Sequence, residues 1–210
     1  MNRARLAAAL AAVLLVAAGC GASEKKVDLS ATVVSPPFTV APGTLTTDAG
    51  KPYQLGKDTT APLTLVFFGY THCPDICPAV LSSITSGLRK LSSADQKKVQ
   101  VLFITSDPRR DTGPVLHEYL SRFDPRFVGL TGSLKTVAAI GKSVGIFVDQ
   151  GDPLAGGGYD PNSHSSYVIG LDRTHTAPVF WSGDTAPSEF ARDFRFLLTH
   201  GTEHLKPAAS

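Results

Sequence analysis

Cys73 and Cys77 stand four residues apart in Tyr70-Thr71-His72-Cys73-Pro74-Asp75-Ile76-Cys77-Pro78. An apolar run, Leu63 to Phe68, precedes them, and Leu81, Ile84, Leu88 and Leu91 follow at helical spacing. The run predicts a strand and the spacing a helix from about 78 to 91, so two thiols sit on a strand-to-helix turn. A helix N-terminus offers unpaired N–H groups and the positive end of the helix dipole, and a cysteine there ionises more readily, with a pKa of roughly 3.5 to 7.5 in comparable sites. A thiolate binds metals and attacks disulfides. Residues i and i+4 of a helical turn have Cβ atoms about 5 to 6 Å apart, beyond the roughly 3.5 to 4.5 Å of a disulfide. A metal bridging two sulfurs tolerates that gap better. Each cysteine precedes a proline, however, which disfavours helical backbone at the cysteine, and Pro78 could be the first helical residue. The local backbone could then close the gap, and both chemistries stay open. A purely structural disulfide is the weaker reading, because so small a loop adds little stability.

The remaining chemistry-bearing side chains are sparser. His72, beside Cys73, could tune the thiolate or join a metal, although sequence neighbours often point apart. Asp107 follows the apolar stretch Val99 to Thr105, at the carboxyl edge of a sheet where sites gather, and a structural or docking role suits it better than a ligand role. Arg109, Arg110 and Asp111 read as a surface ion-pair group. His117 and His175 read as surface residues. His200 and His204 have i, i+4 spacing near a chain end, at best a weak adventitious metal site. The single methionine is the initiator, so no thioether is available.

The chain start is of a different kind. Arg3 and Arg5 precede an uncharged run from Leu6 to Ala18, and Gly19-Cys20 follows. The run is shorter than the roughly 18 residues of a spanning helix and ends in small residues, as an export signal does. Ala17-Ala18-Gly19-Cys20 resembles a bacterial lipobox, with Ala17 where leucine is more usual, and predicts a lipid on Cys20; an ordinary signal peptide is the alternative. Cleavage before Cys20 removes two of 20 basic residues and leaves 18 against 18 acidic, so the formal charge falls from +2 to zero. That balance offers no footprint for a nucleic-acid partner. In an exported, oxidising setting the lipid takes one of three cysteines, leaving Cys73 and Cys77 as each other's only internal partner.

Between these features the composition is that of one globular domain, 42% apolar and 18% charged, without the apolar depletion that marks disorder. Residues 1–19 read as the signal and 20–37 as a lipidated tether. The polar, proline-containing composition continues to Lys57 around a short extended segment at Phe38 to Val40, with the domain at 38–204 and a tail from 205. The expected order is strand 63–68, helix 78–91, strand 99–105, helix 114–123 and a short strand 127–130. A helix then carries Leu134, Val137, Ile140 and Val144 inward behind a Ser133 cap, leading into a possible strand at 146–148. From Gly151 to Ser165 the residues are turn-forming and predict an exposed, mobile loop that carries His164. Tyr167 to Leu171 pairs antiparallel with Pro178 to Trp181. A last helix, 187–199, buries Phe190, Phe194 and Leu197 or Leu198. This α/β order is a single-domain, thioredoxin-like layout.

At Cys73-Pro74-Asp75-Ile76-Cys77-Pro78 the sequence resembles the Sco (SenC) family of copper proteins that assist cytochrome c oxidase assembly. The resemblance extends over roughly residues 40 to 200. It includes Phe67-Phe68-Gly69-Tyr70-Thr71, Ser106-Asp107-Pro108-Arg109-Arg110-Asp111-Thr112, Leu130-Thr131-Gly132 and His164-Ser165 ahead of Tyr167-Val168-Ile169, in the family's order. It implies a thioredoxin-like fold, membrane attachment outside the cytoplasm, and one copper ion held by Cys73, Cys77 and His164. The family commonly has an acidic residue directly before that histidine; here Asn162-Ser163 precedes it, with Asp160 further upstream.

Two functions follow from the resemblance. One is a copper carrier that delivers to, or matures, the binuclear copper centre of an oxidase subunit. The other is a thiol-disulfide reductase acting through Cys73 and Cys77 on that subunit's cysteines. The implied partners are the copper-centre subunit, another copper carrier or thiol reductant, and the membrane through the lipid. A peroxiredoxin-type peroxidase is disfavoured because Thr71 is only two residues before Cys73. If Cys20 carries the lipid, Cys20→Ser should lose retention in the membrane fraction or accumulate as unprocessed precursor; cell fractionation with immunoblotting reads both.

Overall fold

A computed structural model describes residues 29–148, 165–203 and 205. Its centre is β4 (Leu63–Gly69), in which every residue is buried. β4 runs parallel to β5 (Val99–Thr105) in unbroken register from Leu63↔Val99 to Gly69↔Thr105. Strands covered on both faces read as continuous apolar runs rather than alternating ones, which is how 63–68 and 99–105 stand in the sequence. β6 (Val128–Thr131) extends the parallel set beyond β5. On the other side of β4, β7 (Val168–Leu171) pairs antiparallel, followed by β8 (Thr176–Trp181) and β1 (Thr32–Thr39). β2 (Leu45–Thr47) and β3 (Pro52–Tyr53) continue the sheet past β6, giving the order β1-β8-β7-β4-β5-β6-β2-β3 among the described residues.

Alternate residues of β4 feed two cores, as the two-residue strand period requires. Leu63, Leu65 and Phe67 pack with the buried faces of α2 (Ile76–Arg89), α4 (Gly113–Ser121) and α6 (Pro187–His200). Val66 and Phe68 pack with Val137 and Ile140 of α5 (Leu134–Ser143) and Leu55 of the single turn α1 (Leu55–Asp58). α3 (Ser93–Gln96) is one further turn before β5. The mixed sheet with helices on both faces is the thioredoxin-like fold. No helix among the described residues is long and apolar enough to cross a membrane.

Several expectations shift. The sheet starts at Thr32, within the stretch whose composition reads as a tether. β1 is an edge strand, and there polar residues and Pro36-Pro37 are tolerated because one side needs no ladder partner. α2 begins at Ile76, so Pro78 is its third residue rather than its first. The missing N–H of a proline still falls among the first-turn donors that have no helical partner. Ser133 does cap α5, accepting from the Thr136 N–H at 3.1 Å. Residues 146–148 form no strand, and Val148 makes only a single bridge. The Ile146 N–H is engaged by the Gly141 carbonyl at 2.8 Å, and Gly145, at φ 76°, turns the chain back over the end of α5. In α6 it is Leu197 that is buried, while Leu198 is only partly so. Cys20, His164, His204 and the glycine-rich loop lie outside the described residues.

One buried carboxylate ties the segment just before β1 to this scaffold. Asp193, fully buried in α6, accepts from the Trp181 indole N–H and from the Ala31 N–H, both at 2.9 Å. Trp181 in turn packs edge-on to Phe194, ring centroids 5.6 Å apart. Removing the carboxylate strands two buried donors at about 1 to 3 kcal/mol each. Asp193→Ala should therefore lower unfolding stability by about 2 to 6 kcal/mol, read as the change in urea midpoint at unchanged slope.

Candidate functional site

β4 ends at Gly69 and the chain turns at once, with the Cys73 N–H donating to the Tyr70 carbonyl at 3.2 Å. Cys73 lies outside α2 and Cys77 inside its first turn. Asp75 holds the capping position but makes no side-chain capping bond. The Cys73 sulfur takes that place: the Cys77 N–H donates to its Sγ at 3.4 Å. Cys73 is 6% exposed and Cys77 0%, and both are free thiols.

The two sulfurs have opposite ionisation. The Cys73 thiol is lowered to about 6, first because the Cys77 thiol donates to it, and further because the N–H groups of Cys77, Asp75 and Ile76 converge on it; burial opposes the shift. Cys77 is pushed far up, because its proton is held against the Cys73 sulfur, it is desolvated, and a negative neighbour is close. Burial and the charge of the cysteine pair also raise the Tyr70 phenol, to about 12. The pair is thus one nearly buried thiolate beside one protonated thiol.

Gly69 makes the seat for Cys77. A Cβ at Gly69 would lie 2.8 Å from the Cys77 Sγ and 3.1 Å from the Phe103 ring, so only glycine leaves that sulfur its place.

The far side of the turn is held by the loop that follows β5. The Ser106 N–H donates to the Gly69 carbonyl at 2.7 Å. Asp107, 1% exposed, pairs with the Arg110 guanidinium, while its main-chain carbonyl accepts the N–H groups of Arg110 and Asp111 at 3.1 and 2.9 Å. Asp107 therefore builds the loop, as a structural role predicts. Asp111 departs from its surface reading: it is fully buried and accepts from the Thr71 N–H at 2.9 Å, the Thr71 hydroxyl at 2.6 Å and the Thr105 hydroxyl at 2.6 Å. Sequence reasoning missed it because three charges in a row look solvated. The signal that finds it is the β4–β5 register, which sets Gly69 opposite Thr105 and so brings their following loops together.

The histidines separate. The His72 side chain is 57% exposed, with Nδ1 3.1 Å from the Thr71 Oγ1 and 4.0 Å from the Asp111 Oδ1. His117 is exposed beside Asp48, as expected of a surface residue. His175 is half-buried in the β7–β8 turn at φ 62°. His200 stacks on Phe196 at 4.6 Å. Among the described residues no group of three or more His, Cys, Asp and Glu side chains assembles into a metal site. The described donors are the two sulfurs, and soft thiolates suit copper(I), zinc or an attack on a disulfide.

A thioredoxin-like fold whose central strand ends in a free thiol pair at a helix start defines a class of thiol- and metal-handling domains. The SCO1/SenC family model matches residues 34–199, and the chain belongs to that family. Protein SCO2, mitochondrial, of Saccharomyces cerevisiae is 41% identical over 106 residues, 50% of this chain and 35% of that protein. The SCO2-like protein of Rickettsia felis is 36% identical over 132 residues, 60% of this chain and 62% of its own length. The chain thus spans between about a third and under two thirds of these curated relatives. The structure of Bradyrhizobium japonicum ScoI with copper bound is 33% identical with a TM-score of 0.65, the match covering 75% of this chain and 98% of that one.

The thiolate is the nucleophile, so alkylation tracks deprotonation. The iodoacetamide rate at Cys73 should rise with pH, reach half its plateau near pH 6 and level off about two pH units higher, with Cys77 inert throughout. Peptide mass mapping of the reduced, metal-free protein distinguishes the two.

Proposed function

We propose that this protein is a copper carrier that helps mature the binuclear copper centre of a cytochrome c oxidase subunit, with Cys73, Cys77 and His164 as the copper ligands. The observation that carries the reading is the Cys73 thiolate at the start of α2 beside the Cys77 thiol, in a chain that belongs to a family of cytochrome c oxidase assembly proteins. The donor set fits the ion: two sulfurs favour copper(I), and an imidazole added to them also suits copper(II). The Cys77 sulfur sits so close to Gly69 that a Cβ there would lie 2.8 Å from it. A set of only two to three ligands suits an ion that is to be passed on rather than kept. The lipid on Cys20 holds the domain at the membrane outside the cytoplasm, and another copper carrier or a thiol reductant reloads it.

A thiol-disulfide reductase is the second reading, and one observation favours it: a lowered thiolate at Cys73 beside a protonated Cys77 is the arrangement of an attacking and a resolving thiol. His164 separates the two, because disulfide exchange does not need it. His164→Ala should abolish or strongly shift the sulfur-to-copper(II) charge-transfer absorption while leaving reduction of a model disulfide intact. Copper(I) should bind at about one equivalent to the reduced protein and not to the oxidised one. In cells at limiting copper the variant should lose oxidase activity. Normal oxidase assembly in that strain would assign the function to the reductase.

A further inference from the structure

We infer that the cysteine end of the domain faces the bilayer, because the tether leaves the sheet at that end, and that this end is the docking surface for a partner seated in the same membrane. The inference rests on the lipid at Cys20 and on the copper-carrier reading, and it says where that reading's partner has to present its site.

Strand register fixes where the tether leaves. Phe67 stands opposite Val168, Val168 opposite Trp181, and Phe180 opposite Thr32. β1 is antiparallel to β8, so Ala31 falls level with Trp181, and the residues before it run the same way as β4 does toward Gly69 and the cysteine turn. This segment is fastened there. The Ala31 N–H and the Trp181 indole share the buried Asp193 carboxylate, each at 2.9 Å. The Arg192 guanidinium donates to the Ser30 hydroxyl at 2.7 Å, and Leu29 packs on the core cluster that includes Cys73 and Cys77. Lys97 and Lys98, just ahead of Val99, and Arg173 in the β7–β8 turn lie at the opposite end of the sheet.

Reach then sets the orientation. From Cys20 to Leu29 is nine residue steps, about 30 Å at full extension. The seven residues of β4 separate the two ends of the sheet by about 20 Å. With the cysteine end toward the lipid, the tether begins next to the membrane and is slack. With the far end toward it, the tether has to run back along the domain, which takes up most of its reach and the conformational freedom that slack provides. The cysteine end also carries exposed apolar side chains. Ile76 opens α2 beside Cys77, and Tyr167 directly precedes Val168 of β7; both are exposed. The partner that fits is a membrane-seated protein holding a thiolate-type copper acceptor within about 30 Å of the lipid surface.

The test uses the full-length, lipidated chain in vesicles of phosphatidylcholine and phosphatidylglycerol that carry an energy-transfer acceptor on the lipid headgroup. A donor dye is placed at the cysteine end by Asp75→Cys, a residue that makes no capping bond, or at the far end by Arg173→Cys. Cys73→Ser and Cys77→Ser in both chains leave the dye one free thiol. The dye at 75 should stand about 20 Å nearer the lipid than the dye at 173. Inserting about twenty glycine and serine residues after Asp28 should erase the difference. Equal distances with the parent tether overturn the inference, as does a nearer dye at 173, which would mean that Lys97, Lys98 and Arg173 settle on the anionic lipid instead. A difference that survives the insertion overturns the tether as its cause. A chain that is not retained on the vesicles removes the lipid reading and the orientation with it. In cells, a photo-crosslinking benzoylphenylalanine at Tyr167 should capture the copper-centre subunit of the oxidase, and one at Arg173 should not. Capture from Arg173 alone overturns the docking surface. If neither position captures that subunit while the distances stand as expected, the oxidase reading fails and the orientation holds.

Discussion

Parallel pairing of β4 with β5 runs unbroken from Leu63↔Val99 to Gly69↔Thr105, and it ends the two strands at the same level. The loops that follow them, 70–75 and 106–112, have to leave side by side. Their backbone groups cannot satisfy each other as a ladder does, so each borrows from the other: Ser106 bonds back to Gly69, and Asp111 accepts from Thr71. The carboxylate sits where Thr71 and Thr105, one from each strand end, can both donate to it. A slip of one residue in this register would turn the side chains of β5 to the opposite face and take Thr105 away from Asp111.

The electrostatics of the cysteine pair follow from the same placement. Two thiolates side by side without solvent would repel strongly, so the pair shares a proton, and geometry decides which sulfur keeps it. Cys73 faces the start of α2 and receives N–H groups; Cys77 faces the Phe103 ring and the apolar core. Their ionisation is therefore divided by secondary structure rather than by nearby cations. Asp111 adds a negative charge that further disfavours a second thiolate at Cys77.

Much of this was legible in the sequence, for identifiable reasons. The strands at 63–69 and 99–105 are covered on both faces, so their apolar runs are continuous, and α5 shows its cap and its period together. The thiol turn announces itself by residue type. Asp111 does not, because a buried carboxylate within Asp107-Pro108-Arg109-Arg110-Asp111 differs from a solvated one only by its partners, which are 40 residues away at Thr71 and six away at Thr105. Edge strand β1 was obscured for the opposite reason: what tolerates polar residues and prolines in a strand is the absence of a neighbour, and composition cannot distinguish that from a tether. Ile146 carries strand-like chemistry but closes a helix end, a choice made by Gly145 beside it.

Cys77 is embedded in α2 with its sulfur set against Gly69, whereas Cys73 stands in the turn outside the helix. The two sulfurs are thus mounted like the jaws of a vice, one bolted to the frame and the other carried on a slide. Any change in their separation, whether to draw together into a disulfide or to part around an ion, has to come from residues 70–75. α2 and the core behind it can stay still. The rigid jaw sets where the closed state lies, and the turn alone sets how readily it is reached.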